Sequence, residues 1–154
     1  MKLRLSIMAP LLLLLLSPFA IAQSERASEP SVLRLADIMT ATQLRHIKLW
    51  FAGKASNWKL ADYELRQFRA SLSEAALLYP GIPVTNVTTM ADPVQAVADA
   101  IKAKDTKAFE NTFSSLTNGC NACHQSMGYG YIVMRVPTAS PFSDQVFPVQ
   151  NERR

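Results

Sequence analysis

The sequence predicts an all-α fold: an antiparallel four-helix bundle followed by an extended C-terminal arm. Three observations lead there. Four segments carry apolar residues at the i, i+3, i+4, i+7 spacing of a helix. Capping and breaking residues separate them with short connections, as in an up-down bundle. No alternating strand pattern competes with the helical one before the tail.

The first 22 of the 154 residues read as a leader rather than as part of the bundle. Lys2 and Arg4 open it, six leucines run from Leu11 to Leu16, and Ala20-Ile21-Ala22 closes it, the order of a secretory signal peptide. The competing reading is a membrane anchor. The apolar run from Leu5 to Leu16 is about 12 residues, against roughly 20 for a span, and Pro10 and Pro18 shorten it further. Cleavage after Ala22 leaves an exported chain with no further stretch long enough to span a membrane. Removing Lys2 and Arg4 from the 16 basic residues leaves 14 against 12 acidic ones, so the charge falls from +4 to +2. With no basic cluster and no aromatic ladder, nucleic acid is not an expected partner.

Residues 23–30 are polar and are expected to be disordered. The first helix is expected over residues 31–52, with Leu35, Ile38, Met39, Thr42, His46, Leu49 and Trp50 on one stripe and Gly53 as its stop. The second opens at Ser56-Asn57, either of which can cap it. Its stripe is Trp58, Ala61, Leu65, Phe68, Leu72, Ala75, Ala76 and Tyr79, and Pro80-Gly81 ends it. A loop of about ten residues follows. Asp92-Pro93 then reads as the cap and first position of the third helix, with Gln95 placed for a capping box and Val94, Val97, Ala98 and Ile101 facing inward. Asp105-Thr106 opens the fourth, whose stripe is Phe109, Phe113, Leu116, Cys120, Cys123 and Met127. Residues 31–127 thus make the bundle. Gly128-Tyr129-Gly130-Tyr131 breaks the helix, and residues 128–154 interleave apolar side chains with prolines. They read as an arm laid on the bundle, against the alternative of a disordered terminus. Trp50 and Trp58 flank the Gly53 turn and read as packing residues.

The chemistry sits in Cys120-Asn121-Ala122-Cys123-His124, a C-x-x-C-H sequence that attaches a c-type haem. Residues i and i+3 of a helix share a face, so two thiols can reach the two vinyl groups of one porphyrin, and the next residue turns an imidazole to the iron. Three alternatives are weaker. A thioredoxin-like pair needs a βαβ context. Zinc needs about four ligands, while only His46 stands beyond the motif. A plain disulfide leaves His124 without a role.

On this motif at the end of the last of four helices, the chain resembles the class II c-type cytochromes, the group of cytochrome c-prime and its low-spin relatives, over residues 31–127. Class I members usually carry the motif near the N-terminus, with a methionine ligand far downstream. Here only 30 residues follow His124. The resemblance implies one covalent haem c on Cys120 and Cys123, His124 as the proximal iron ligand, a periplasmic location and dimerisation through the first two helices. The chain departs from the family where Gly128 stops the last helix and in the length of its arm.

The residue opposite His124 is left among three alternatives. In an up-down bundle the end of helix four lies beside the start of helix one. His124 is about one turn, roughly 5 Å, from its helix end. Met39 is about 6–12 Å from the start of helix one, and His46 about 10 Å further. The level favours Met39 or Leu35 over His46. In low-spin class II cytochromes a methionine near the start of helix one is the sixth ligand, and Met39 is the position that looks like it. The alternatives are Met39 as core filler beside an open, five-coordinate iron, and His46 as ligand. Met127 is expected on the proximal side, with Met134 within reach of the haem edge. Tyr129 and Tyr131 read as cover for its rim, and Arg34, Arg45 and Arg135 as candidate propionate partners. The expected function is electron transfer with a redox partner that the sequence does not identify, and no acid–base pair marks the chain as an enzyme. The rival readings are a gas-binding or gas-sensing haem protein and a haem subunit of a larger oxidoreductase.

Overall fold

Helix α1 (Leu35–Lys54) opens the part of the chain that the computed structural model describes, residues 34–149. The leader expected over residues 1–22 and the polar stretch 23–30 lie outside the described residues. Arg34 pairs with Asp37 of the first turn at 3.0 Å. Ile38, Thr42, His46 and Leu49 are buried along the expected stripe. Gly53 does not stop this helix but lies buried inside it. Its missing side chain is the point: a Cβ there would stand 2.2 Å from the Phe109 ring. The chain turns instead at Ser56, which takes a left-handed φ of 55°.

Helix α2 (Trp58–Leu78) is capped by Asn57, whose side chain accepts from Leu60 N–H at 3.2 Å. Ala61, Leu65, Phe68 and Ala75 are its buried face. Glu64 is buried with them, 2 % exposed, and accepts from Arg45 at 3.1 Å. Within the expected loop lies a short helix, α3 (Val84–Thr89). Its sequence, Val-Thr-Asn-Val-Thr-Thr, is mostly β-branched, so local preference argues against a helix. Tertiary contact supports it: α3 packs on α2, α4 and α5, and Asn86 donates to the Ser126 hydroxyl at 2.7 Å.

Helix α4 (Ala91–Ala103) starts earlier than its Asp-Pro pair suggests. Met90 is the cap residue, so Asp92 and Pro93 fall inside the first turn, where a missing N–H leaves no bond unmade. Asp92 makes no side-chain cap, and Gln95 reaches forward to Asp99 at 2.9 Å rather than back in a capping box. Helix α5 (Thr106–Ser126) is capped as expected by Asp105, which accepts from Ala108 N–H at 2.9 Å.

The described residues hold five helices and no strand, an all-helical fold compatible with a helical bundle. Helix α1 packs on α2 and α5, and α4 packs on α5 and α2. Phe68, Phe109, Phe113, Leu49, Leu116 and Val97 fill the centre without exposure. Trp50 lies 4.9 Å from the Phe113 ring and 6.1 Å from Phe109, and Trp58 meets Phe109 edge-on, so both tryptophans pack as expected. Residues 128–149 carry neither helix nor strand. Phe147 is nonetheless buried, 5.6 Å from Phe51 and 6.2 Å from Phe142, and its carbonyl accepts from Asn57 at 2.9 Å. Among the described residues, no helix is long and apolar enough to cross a membrane.

Candidate functional site

The last turns of α5 present Cys120, Cys123 and His124 to a cavity of about 400 Å³. That size lies within the roughly 300–1,000 Å³ of small-molecule and cofactor sites. From α1 come Leu35, Met39 and His46; from α2, Phe68 and Leu72; from the arm, Tyr129, Ile132 and Met134. All four expected site residues, Cys120, Cys123, His124 and Met39, therefore line one largely apolar space. Leu35 and Met134 line it too, while Met127 and Tyr131 do not.

Both thiols are half-buried and free. Burial, then the neighbouring Cys123, pushes the Cys120 thiol up to about 11, and burial also raises Cys123. Redox-active C-x-x-C pairs do the opposite: a helix N-terminus holds a thiolate at lowered pKa. Here the pair sits near the helix C-terminus, whose dipole disfavours negative charge. Both thiols are therefore protonated at pH 7 and lack the lowered pKa of a redox-active pair. Among the described residues no three His, Cys, Asp or Glu side chains converge as a metal site. A porphyrin supplies its own four nitrogens and asks the chain for only one or two ligands.

His124 is held through its ring. Its Nδ1 lies 2.8 Å from the Ile132 carbonyl oxygen. A carbonyl only accepts, so Nδ1 carries a proton; in the neutral ring Nε2 then keeps its lone pair, the arrangement seen in metal-binding histidines. Two residues beyond that carbonyl the arm meets Asn121, inside the motif. Asn121 donates to the Met134 carbonyl at 2.9 Å and accepts from Met134 N–H at 2.7 Å.

His46 is 1 % exposed, and burial lowers its pKa from 6.5 to about 4, so it is neutral at pH 7. Its Nε2 lies 2.9 Å from the Thr117 hydroxyl. Thr117 donates its one hydroxyl proton to the Phe113 carbonyl at 3.0 Å, so His46 Nε2–H is the donor of the shared contact. Nδ1 is then a bare lone pair, buried without a partner, on a residue that lines the cavity. Such an atom costs stability unless a donor reaches it.

Of the three arginines considered for propionates, Arg34 pairs with Asp37 and Arg45 with Glu64. Arg135 lines a second opening together with Gln43, His46 and Met134. Sequence reasoning missed Asn121, which sits at a variable position of the motif, and the Ile132 carbonyl, which no side chain signals. It also missed Glu64, whose place on the α2 stripe, three residues after Ala61, was the available sign. No family model, curated protein or solved structure matches the chain.

Proposed function

We propose that this chain is an exported, periplasmic c-type cytochrome that carries one haem on thioethers to Cys120 and Cys123. His124 binds the iron and Met39 is the sixth ligand. The observation that carries the reading is the lining of one apolar cavity by Cys120, Cys123, His124 and Met39. The residues present fit the group. The cavity has cofactor size, the imidazole of His124 keeps Nε2 bare, and His46 leaves a buried Nδ1 without a partner. When bound, haem supplies a ferric–ferrous couple that takes or gives one electron.

The pairings between α1 and α5 support the finer arrangement. Lys54 pairs with Glu110, Trp50 meets Phe113 and His46 meets Thr117. One number falls as the other rises, as in an antiparallel pair. Carrying that register seven residues further, about 10 Å along each axis, brings Met39 level with His124. It leaves His46 two turns away, suited to a polar group of the bound cofactor rather than to the iron. The chain's residues then have separate tasks. Cys120 and Cys123 hold the cofactor against loss, His124 and Met39 set its electronic state, and Phe68 and Leu72 keep water away from it. A methionine opposite histidine raises the potential, which suits an electron carrier.

Expression with an export leader and a haem-attachment system tests the proposal. The pigment should remain with the chain through denaturation and acid organic solvent, and Cys120→Ser with Cys123→Ser should release it. The ferrous protein should be low-spin and slow to bind carbon monoxide. Met39→Ala should turn it high-spin and fast-binding, while His46→Ala leaves it low-spin. Extractable pigment refutes the attachment. A wild-type protein that takes up carbon monoxide at once refutes Met39 as ligand and leaves the gas-binding reading in its place.

A further inference from the structure

We infer that Asn121 is a positioning residue for His124, acting through the C-terminal arm to fix which imidazole nitrogen faces the cavity. The inference rests on the haem reading for its consequence but not for its geometry. Three hydrogen bonds make the linkage. Asn121 grips the main chain of Met134 from both sides, at 2.9 and 2.7 Å, and so ties a residue 13 positions away to the surface of α5. Two residues before that grip, the Ile132 carbonyl meets His124 Nδ1 at 2.8 Å. The near end of the segment is closed as well: Tyr129 N–H donates to the His124 carbonyl at 2.7 Å, and Ile132 N–H to the Tyr129 carbonyl at 2.8 Å.

Apolar burial holds the segment between Tyr129 and Met134 only weakly, and the arm packs on the core only further on, through Val136. Ile132 is 46 % and Val133 73 % exposed. A carbonyl on a segment so poorly buried stays in place because its backbone is pinned on both sides, and Asn121 is the pin at the far side. Without it the Ile132 carbonyl is free to leave, and the half-buried His124 ring is free to sample both tautomers, one of which puts the proton on Nε2 and removes the lone pair from the cavity. Where an acceptor holds Nδ1–H, the imidazole is also a stronger donor to a metal, and loss of such outer partners typically costs about 10–100-fold in metal affinity or activity.

The readout is the tautomer of His124 in the full chain labelled with nitrogen-15, by long-range proton–nitrogen NMR at a pH where imidazole is neutral. It is measured before and after haem loading, together with the midpoint potential of the loaded form. Wild type should show one tautomer, with the proton on Nδ1. Asn121→Ala, a favourable substitution in a helix, should keep helix content and give a mixture, with a raised potential in the loaded form because the imidazole donates less. Asn121→Asp, which keeps the acceptor for Met134 N–H and loses the donor, should fall between. Val136→Ala trims the packing of the arm on the core outside the cavity and leaves all three hydrogen bonds in place, so it should match wild type in tautomer and potential, which a merely packing role of the arm would not allow. Asn121→Ala with a single Nδ1–H tautomer and an unchanged potential overturns the inference. If the chain takes up no haem at all, the proposed function falls, and the tautomer in the unloaded chain still decides the role of Asn121.

Discussion

Lowering the pH should destabilise this protein through His46, by an amount the structure allows to be worked out. His46 is 1 % exposed, packs 4.5 Å from the Phe113 ring and makes its one hydrogen bond to Thr117. Burial holds its pKa near 4, against 6.5 for the free side chain. The unfolded chain therefore takes up a proton at a higher pH than the folded one. Stability from this residue is complete above 6.5 and is lost as pH falls through that value towards 4. At 1.36 kcal/mol per pH unit, the full loss is about 3 kcal/mol, with about 2 kcal/mol gone by about pH 5. Urea unfolding at several pH values, for wild type and His46→Gln, measures it, since the variant keeps a donor for Thr117 and cannot titrate. The wild-type midpoint should fall relative to the variant across this window with the slope in urea unchanged. Parallel curves for the two proteins would refute the reasoning, because they would mean that His46 gains its proton as easily folded as unfolded.

Two further substitutions test the packing around the site. Gly53→Ala should destabilise by about 1–3 kcal/mol despite the better helix propensity of alanine, since the new Cβ would meet the fully buried Phe109 ring at 2.2 Å; a stabilised variant in thermal unfolding would show that the ring yields. Phe147→Ala should cost about 3 kcal/mol, the low end for a buried phenylalanine, and an unchanged melting temperature would mean that the arm contributes nothing to the stability of the helices it touches.

The parts of this molecule that were legible in the sequence are those encoded by neighbours in sequence. Phe68, Phe109, Phe113 and Leu116 are buried because helical spacing stacks them on one face, and that spacing is visible without coordinates. Asn57 and Asp105 were legible as caps because a cap bonds within three residues of itself. What was not legible depends on distant partners. Gly53 looks like a helix stop until Phe109, 56 residues on, takes the space its side chain would fill. Helix α3 has weak local preference and depends on the elements beside it. Asp92-Pro93 marks a helix start in composition but lies within the first turn, because the preceding short helix already brings Met90 into helical conformation. At the site, the motif was plain, while the hydrogen bond that orients its histidine ends on a main-chain oxygen, which every residue has and no pattern distinguishes.

The glycine that ends α5 joins these two halves of the site. Gly128 takes φ 78°, a conformation that reverses the chain directly after the motif. Had the helix continued, residues 129–134 would climb away along its axis, and the Ile132 carbonyl could not return to His124. With the reversal, His124 is tied to the arm twice, by its own carbonyl to Tyr129 N–H and by its ring to Ile132. Nothing lies within 4 Å of where a Gly128 Cβ would point, so a substitution there meets no clash and reports backbone strain alone. Gly128→Ala should cost about 1–2 kcal/mol from the left-handed conformation. That cost should fall on the turn rather than on the buried helices: hydrogen exchange should quicken at the Tyr129 and Ile132 amides while Phe109 and Phe113 keep their protection. Unchanged exchange at Tyr129 and Ile132 would mean that the arm holds its course without the glycine, and that the grip of Asn121 on Met134 alone is enough to bring the carbonyl to His124.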